Sequence, residues 1–447
     1  MMPVRFRSPA PTPVRGSARQ LTESLLERSA RYIDGDTYEG PRSINPVDGS
    51  FHEVAEGVAL VCGFSHIWTL DGAGGLVVLD TSLPGFATVA LEHLRRWRAV
   101  PVDTIVYTHG HVDHVSGARA FLDDAADRGH PSPTVVAHDA VGRRFDRYDL
   151  TREYNEIINA RQFSSNFKFG SFHGDWVRPQ VTYTDGLDLE VGTDGVRLIH
   201  EKGETDDHTI AWVPQIRALF TGDLVIWAFP NAGNPQKAQR YPAEWAAALR
   251  RMIDLRPEFL FPAHGLPISG AERIAGVLEA TAGTLEGLVR DTLEMMNAGA
   301  PLDEIVHTVR VPQHLLDKPY LRPSYDEPEF VVRNIWRLYG GWHDGNPARL
   351  KPAPDAAVAA EVAALAGGSD RLARRAAELC EAGELRLACQ LAEWAVQAAP
   401  SDAEAHATRA EVYRIRRDGE LSLMARGLYL DASHRSESMS RPEPRPD

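Results

Sequence analysis

The run Thr108-His109-Gly110-His111-Val112-Asp113-His114 puts three imidazoles and a carboxylate within six positions. Each offers a nitrogen or oxygen lone pair, the donors that a borderline-soft divalent ion such as zinc prefers. In extended backbone, residues i and i+2 point the same way, so His109 and His111 share a side. A turn after them carries Asp113 and His114 to a second, neighbouring point. Just upstream, Asp103-Thr104-Ile105-Val106-Tyr107 is short, apolar and β-branched, the pattern of a buried strand. The donors therefore sit in the loop where a strand ends, and metal-assisted chemistry is the expectation. The plain alternative is a polar loop with scattered histidines; the density of donors argues against it.

The elements that must hold this loop can be read along the chain. Segments 58–61, 66–70 and 76–80 read as strands, the last two joined as a hairpin through Asp71-Gly72-Ala73-Gly74-Gly75. His66 begins one of them and reads first as a packed strand residue. Segments 88–97 and 115–124 read as helices, and 134–137 as the next strand. Between 138 and 181 the pattern is interrupted by aromatics mixed with arginines, either a helix packed on the rim or a cap over the loop. Segments 196–200, 209–213, 218–220 and 258–261 read as further strands, with a helix over 241–253.

Beyond His264 the composition turns helical. A long amphipathic helix is expected over 271–298, then a short helix over 302–309 and another helix over 329–339, with a proline-broken loop between the latter two. Gly340-Gly341 and the turn residues after them end the last of these. The remainder is helix after helix: Ser369-Asp370 and Ser401-Asp402 are good N-caps, and 385–399 has an alanine-rich face suited to close packing. The expected organisation is a mostly disordered tail over 1–43, a catalytic α/β domain over 44–298, a helical and loop connection over 299–349, a helical domain over 350–433, and a disordered tail over 434–447. Little more than one helical repeat is present, too few to bury a core alone, so a second copy of the chain is the expected partner.

With 447 residues, two domains are the starting expectation, and 43% hydrophobic with 25% charged residues is ordinary for a globular protein. A net charge of −14 argues against nucleic-acid or membrane-surface partners. No apolar run approaches the roughly 20 residues of a bilayer span. The first twenty residues lack an apolar secretory core. Three cysteines, Cys62, Cys380 and Cys389, make no disulfide framework and fit a reducing cytoplasm.

The histidine loop, and four motifs in order around it, resemble the metallo-β-lactamase fold, an αββα sandwich. Leu76 to Thr81 is similar to the strand whose aspartate supports the metal loop. Gly203-Glu204-Thr205-Asp206-Asp207-His208 is similar to the family's Gly-His-Thr turn, with glutamate in place of histidine. Leu219-Phe220-Thr221-Gly222-Asp223 resembles the strand ending in a bridging aspartate, and Phe261-Pro262-Ala263-His264-Gly265 the one ending in the final histidine. The resemblance implies one metal held by His109, His111 and Glu204, a second by Asp113, His114 and His264, and Asp223 between them. Two zinc ions ~3.5–4 Å apart would share a hydroxide active near neutral pH, with Asp113 and Asp223 as the catalytic carboxylates. Zinc has no accessible second oxidation state, so hydrolysis is expected rather than redox chemistry.

Glutamate at that position, the run Val332 to Pro347 and the helices after it resemble the alkyl sulfatase branch, which carries a helical dimerisation domain. Alkyl sulfate esters are then the implied substrates. Members with a further sterol-carrier-like domain use it to hold long alkyl chains; this sequence stops short of one and has Thr221-Gly222-Asp223 where many have Ala-Glu-Asn, so shorter or bulkier esters are equally expected. Three carboxylates and a hydroxide balance two divalent ions, which favours a monoanionic ester over a dianionic one. Arg161, Lys237, Arg240, Arg322 and Tyr325 are candidates to bind its anionic group. The alternative enzyme reading is a hydrolase of a lactone, lactam or thioester; a scaffold with a vestigial site is the non-enzymatic one.

Overall fold

The computed structural model describes residues 23–440 apart from 36–39, 164–173 and 192–193. Two sheets lie face to face. One has its seven strands adjacent in chain order: β1 (Phe51–Ala55), β2 (Val58–Val61), β3 (Ile67–Gly72), β4 (Gly75–Leu79), β5 (Val102–Val106), β6 (Thr134–His138) and β7 (Val181–Tyr183). The other follows β13-β12-β11-β10-β9-β8, made of β8 (Gly186–Val191), β9 (Asp194–His200), β10 (Thr209–Val213), β11 (Ala218–Gly222), β12 (Phe259–Pro262) and β13 (Ile268–Ser269). Strands β4 to β7 pair in parallel, as do β11 and β12; the rest are antiparallel.

The alternating pattern of a strand sorts its side chains between two cores. On β4, Val77 and Leu79 face the interior between the sheets, where they join Trp68, Leu198, Phe220 and Phe261. Leu76 and Val78 face outward and meet helices α3 (Pro84–Trp97), α5 (Ala118–Asp127) and α6 (Ala140–Leu150) through Leu91, Leu94, Phe121 and Phe145. The second sheet is covered by α8 (Pro242–Asp254) and α9 (Ala271–Asn297), which contribute Trp245, Leu249, Ile274 and Leu278. This is the expected αββα sandwich, followed by an all-helical region.

The chain ends depart from the expected organisation. Within the tail assigned to 1–43, α1 (Leu25–Ile33) is a helix whose Ser24 and Glu27 form a reciprocal capping box. Leu25 and Tyr32 are buried in the main core, and Asp34 pairs with Arg273 of α9 at 2.7 Å. Residues 1–22 lie outside the described residues. At the other end, α17 (Leu423–Ser440) runs well into the segment expected to be disordered; 441–447 lie outside the description.

The 299–349 segment is not a linker in its packing. Short helices α10 (Leu302–Thr308) and α11 (Gln313–Leu316) lead to α12 (Pro328–Gly340), and Ile305, Val306, Leu321, Val331, Val332 and Ile335 enter the same core as the sheets. Its prolines break the helices, but Ile305, Val306, Val309 and Leu321 between them are apolar and buried.

Four helices follow: α13 (Asp355–Ala366), α14 (Ser369–Glu381), α15 (Leu385–Ala398) and α16 (Ala403–Asp418). They share two small, alanine-rich cores around Leu372, Ala395 and Val396 and around Ala376, Ala388, Ala392 and Val412. Leu365 and Leu387 stay 89% and 57% exposed, as does Trp342 at 69%. No helix among the described residues is long and apolar enough to cross a membrane.

The last helix returns to the catalytic half. Gly427 of α17 presses on α7 (Arg152–Phe163) so closely that a Cβ there would collide with the Gln162 carbonyl oxygen. Backbone cannot move aside as a side-chain tip can. Gly427→Ala is therefore expected to destabilise the protein by about 1–3 kcal/mol in urea unfolding, the usual cost of overpacking a close contact. Unchanged stability would mean that α17 does not dock there.

Candidate metal centre

The donor side chains gather where strands end. Asp80 follows β4, the His109–His114 run follows β5, Asp223 follows β11, His264 lies just beyond β12, and Glu204 sits in the turn between β9 and β10. Asp113 and His114 lie on α4 (Val112–Val115), a single helical turn started by His111. Two groups result, His109, His111, Glu204 and Asp223, and Asp113, His114 and His264, each with its ligand atoms within 4.8 Å of one another. All seven residues proposed from the sequence are thus brought together.

Asp223 faces both groups. Its Oδ2 lies 3.9 Å from His109 Nε2, while its Oδ1 lies 3.4 Å from His114 Nε2 and 3.6 Å from His264 Nε2. Within the second group, Asp113 Oδ2 is 3.2 Å from His264 and 3.5 Å from His114. A tetrahedral ion with bonds of ~2.1 Å holds its ligands about 3.4 Å apart, so these spacings suit a shared metal. His114 Nε2, Glu204 Oε2 and Asp223 Oδ1 are buried without any hydrogen-bond partner. Buried polar atoms are rarely left so, and a cation among them would satisfy all three. The donor set therefore fits divalent metal.

The neighbouring groups orient the donors. Asp80 accepts from the Thr108 N–H, the Thr108 hydroxyl and His114 Nδ1, each at 2.7 Å. His114 is thereby fixed with its Nε2 lone pair toward the centre. Asp80 does this from a left-handed backbone (φ 58°), a conformation that costs a non-glycine residue free energy and is held by the surrounding contacts. The Thr108 hydroxyl, having given its proton to Asp80, accepts from His109 Nδ1 at 3.1 Å. Arg144 of α6 binds Asp207 through two nitrogens, and Asp207 in turn accepts the Gly110 N–H at 3.1 Å. His66 is more than a packed strand residue: its ring binds the Gly265 carbonyl at 2.9 Å and its N–H the Ala263 carbonyl, bracketing His264.

Electrostatics follow from this crowding. Burial lowers His109 and His111 well below the usual histidine range, helped by the other cations near them. Burial opposes protonation of His114 too, but Asp223, Asp80 and Asp113 raise it well above that range. Burial pushes Glu204 up to about 8, with Arg240 pulling it down and Asp223 and Asp113 adding to the rise. Glu204 is held in two ways: Oε1 accepts from Arg240 Nη1 at 2.7 Å and from the Asn231 amide, and lies 3.9 Å from His111 Nδ1, while Oε2 is buried without a partner.

A cavity of about 920 Å³ opens over the centre. Its floor is His111, Asp113, Glu204, Asp223 and His264; polar groups come from Asn231, Asn234, Lys237 and Tyr325; Phe64, Tyr148, Ile158, Phe163, Ile226 and Trp227 form apolar walls. Helices α6 and α7 supply part of those walls, so the interrupted stretch caps one side of the site as far as Phe163.

Of the five substrate candidates, Lys237, Arg240 and Tyr325 line the cavity. Lys237 donates to Asn159 at 2.8 Å, and burial together with the nearby Arg240 charge brings its amine down to about 7. Arg240 is engaged with Glu204, a role different from the one expected. Arg161 and Arg322 do not line the cavity. Arg161 points toward Asp431 of α17 at 4.0 Å, and Arg322 contributes its carbonyl to the Phe229 N–H at 2.9 Å.

The sequence reading missed Arg144, Asn231, Asn234 and His208. His208 Nε2 accepts the Asp223 N–H at 3.1 Å and so fixes the start of the bridging carboxylate. It adjoins Glu204 in the turn motif, which was the available signal; the asparagines lie in a loop with no repeated spacing.

Comparison with known proteins agrees with the fold. Residues 60–264 match the metallo-beta-lactamase superfamily, and 301–438 match the alkyl sulfatase dimerisation family. A linear primary-alkylsulfatase of a Pseudomonas species is 27% identical over 385 residues, covering 81% of this chain and 72% of its own length. An (R)-specific secondary-alkylsulfatase, also from Pseudomonas, is 28% identical and covers 78% of this chain; the chain spans only 56% of that relative. The solved stereoselective inverting sec-alkylsulfatase of Pseudomonas superposes with a TM-score of 0.78 at 24% identity, over 88% of this chain and 66% of that one. The chain thus carries a metallo-β-lactamase region over 60–264 followed by an alkyl sulfatase dimerisation region over 301–438.

Proposed function

We propose that the protein is a binuclear zinc hydrolase of alkyl sulfate monoesters, acting as a homodimer in the cytoplasm. His109, His111 and Glu204 would hold one ion, Asp113, His114 and His264 the other, with Asp223 between them. Bound there, a pair of divalent ions supplies Lewis acidity and makes water acidic enough to attack near neutral pH. The observation that carries the reading is Glu204: a buried carboxylate grouped with His109, His111 and Asp223, with one oxygen engaged by Arg240 and Asn231 and the other buried without a partner. It lowers the charge of the centre, which disfavours a dianionic phosphate more than a monoanionic sulfate.

The remaining groups of the cavity suit such a substrate. Lys237 and the Asn231 and Asn234 amides can bind the sulfate oxygens, and the Tyr325 hydroxyl, which accepts from Gln162 at 3.1 Å, can donate to them. The apolar walls would take the organic part and exclude bulk water. Homodimerisation is supported by the dimerisation-family match and by the exposed Trp342, Leu365 and Leu387. Three free cysteines suit a reducing compartment.

Three outcomes are expected. Elemental analysis of zinc-replete protein should find two ions per chain, and Asp113→Ala should lose one of them while circular dichroism is unchanged. At most one ion in the intact protein would overturn the binuclear reading.

Light scattering at micromolar concentration should return twice the mass of one chain. A monomer would show that the exposed apolar residues of the helical region are not an interface.

Glu204→His should retain metal, since imidazole is a good zinc ligand, but it adds positive charge and frees Arg240. Turnover of a sulfate ester relative to a phosphate ester should fall by about tenfold or more, the effect of one nearby charge at an effective dielectric of ~20. An unchanged ratio at full metal occupancy would remove Glu204 as the source of selectivity.

A further inference from the structure

The loop 229–241 carries Asn231, Asn234 and Lys237 into the cavity, yet most of what fixes it lies beyond residue 300. Asp326 is fully buried. Its Oδ2 accepts the Gly233 N–H at 2.5 Å and the Asn234 N–H at 3.1 Å, and its Oδ1 accepts the Glu327 N–H at 2.8 Å. Among the described residues no cation lies within ion-pair distance of it. Its charge is stabilised by backbone N–H groups, two of them from this one loop. Burying a carboxylate is costly, and a neutral side chain could fill the volume, so the loop's conformation is what the charge maintains.

Asn334, on α12, repeats the grip at both ends. Its Nδ2 donates to the Ala232 carbonyl at 2.8 Å and the Arg240 carbonyl at 3.0 Å, and its Oδ1 accepts from Gln239 and Arg337. Between these ties Gly233 lies flat against α12: a Cβ there would sit 2.5 Å from the Phe330 carbonyl carbon. The residue before Asp326 is Tyr325, whose hydroxyl is in the cavity wall. The same carboxylate thus fixes the loop relative to Tyr325.

We propose that Asp326 is a positioning residue for the anionic head of the substrate, holding the Gly233 and Asn234 backbone so that Asn231, Asn234 and Lys237 converge with Tyr325 on that head. The proposal rests on the anionic-ester reading above. It assigns to the region after residue 300 a part in substrate binding, separate from any part in dimerisation.

The test is Asp326→Asn in the full-length, metal-loaded protein, read in three ways. Hydrogen exchange of the 229–241 peptide should speed up about ten- to a hundredfold, the loss of charged hydrogen bonds, while peptides covering 109–114 do not change. KM for a sulfate ester and the inhibition constant of inorganic sulfate should both rise about tenfold or more, with kcat within about twofold and metal content unchanged. Unchanged KM and sulfate inhibition in the folded variant would overturn the proposal, as would unchanged exchange in the loop. If the wild type neither hydrolyses sulfate esters nor binds sulfate, the functional reading falls in that control arm, and loop exchange alone then decides whether Asp326 positions the loop. Should the variant not fold, the wild type still decides: a 229–241 segment that exchanges freely overturns the proposal, and a strongly protected one supports it.

Discussion

Seven side chains from four separate segments point their lone pairs into one small, mostly buried space, and a cation is what suits them. Carboxylates and imidazoles brought this close without bulk water repel or lose solvation, and three of their atoms have no partner in the protein. Arrangements of this kind persist only when the surrounding scaffold is stiff. Here the stiffness comes from strand ends: β4, β5, β11 and β12 all stop at the same edge of the sandwich, and each leads directly into a donor or its support. The supports act at one remove. Asp80 orients His114, Arg144 and Asp207 hold the Gly110 backbone, and His66 brackets His264.

Glu204 changes the character of this centre without changing its shape. A histidine at the same position would need no counter-ion, whereas the buried glutamate is accompanied by Arg240, itself only 4% exposed in its side chain. The pair is nearly neutral as a unit. The carboxylate is one of the grouped donors, and both it and Arg240 line the cavity. Arg240 was read from the sequence as a substrate cation because its position in the loop is right; its partner could not be seen there, because the pairing spans 36 residues and depends on the β9–β10 turn folding back.

Much of the site was legible because metal chemistry restricts residue type. Histidine, aspartate, glutamate and cysteine are the usual donors, so the 109–114 run could be read from residue type and spacing, while Glu204, Asp223, His264 and Asp80 were named from the resemblance to the family's motifs. The β-strands were visible for a similar reason: 58–61 and, after Thr209, 210–213 are apolar, and both strands are buried throughout. What escaped was polar and long-range. Asn231 and Asn234 lie in a glycine- and proline-containing loop, and their role arises only when α12 is placed behind them. The helix α1 was passed over as tail although Ser24 and Glu27 form a capping box, because a nine-residue amphipathic helix between polar segments gives little periodicity to count.

Where the boundary between the two halves of the chain falls is a physical question, and the core answers it. Apolar residues up to Ile335 pack with the sheets, and Asn334 and Asp326 hydrogen-bond the cavity loop from behind. The later helices have their own small alanine-lined cores, yet α17 returns to lie against α7, and Leu421, Leu423 and Arg426 reach the cavity rim. The cavity is therefore bounded on one side by a loop that α12 holds and on another by a helix that α17 supports. The donors are held at strand ends of the first core, whereas the rim is held from behind by α12 and α17, so the sheets carry the donors and the later helices shape the entrance.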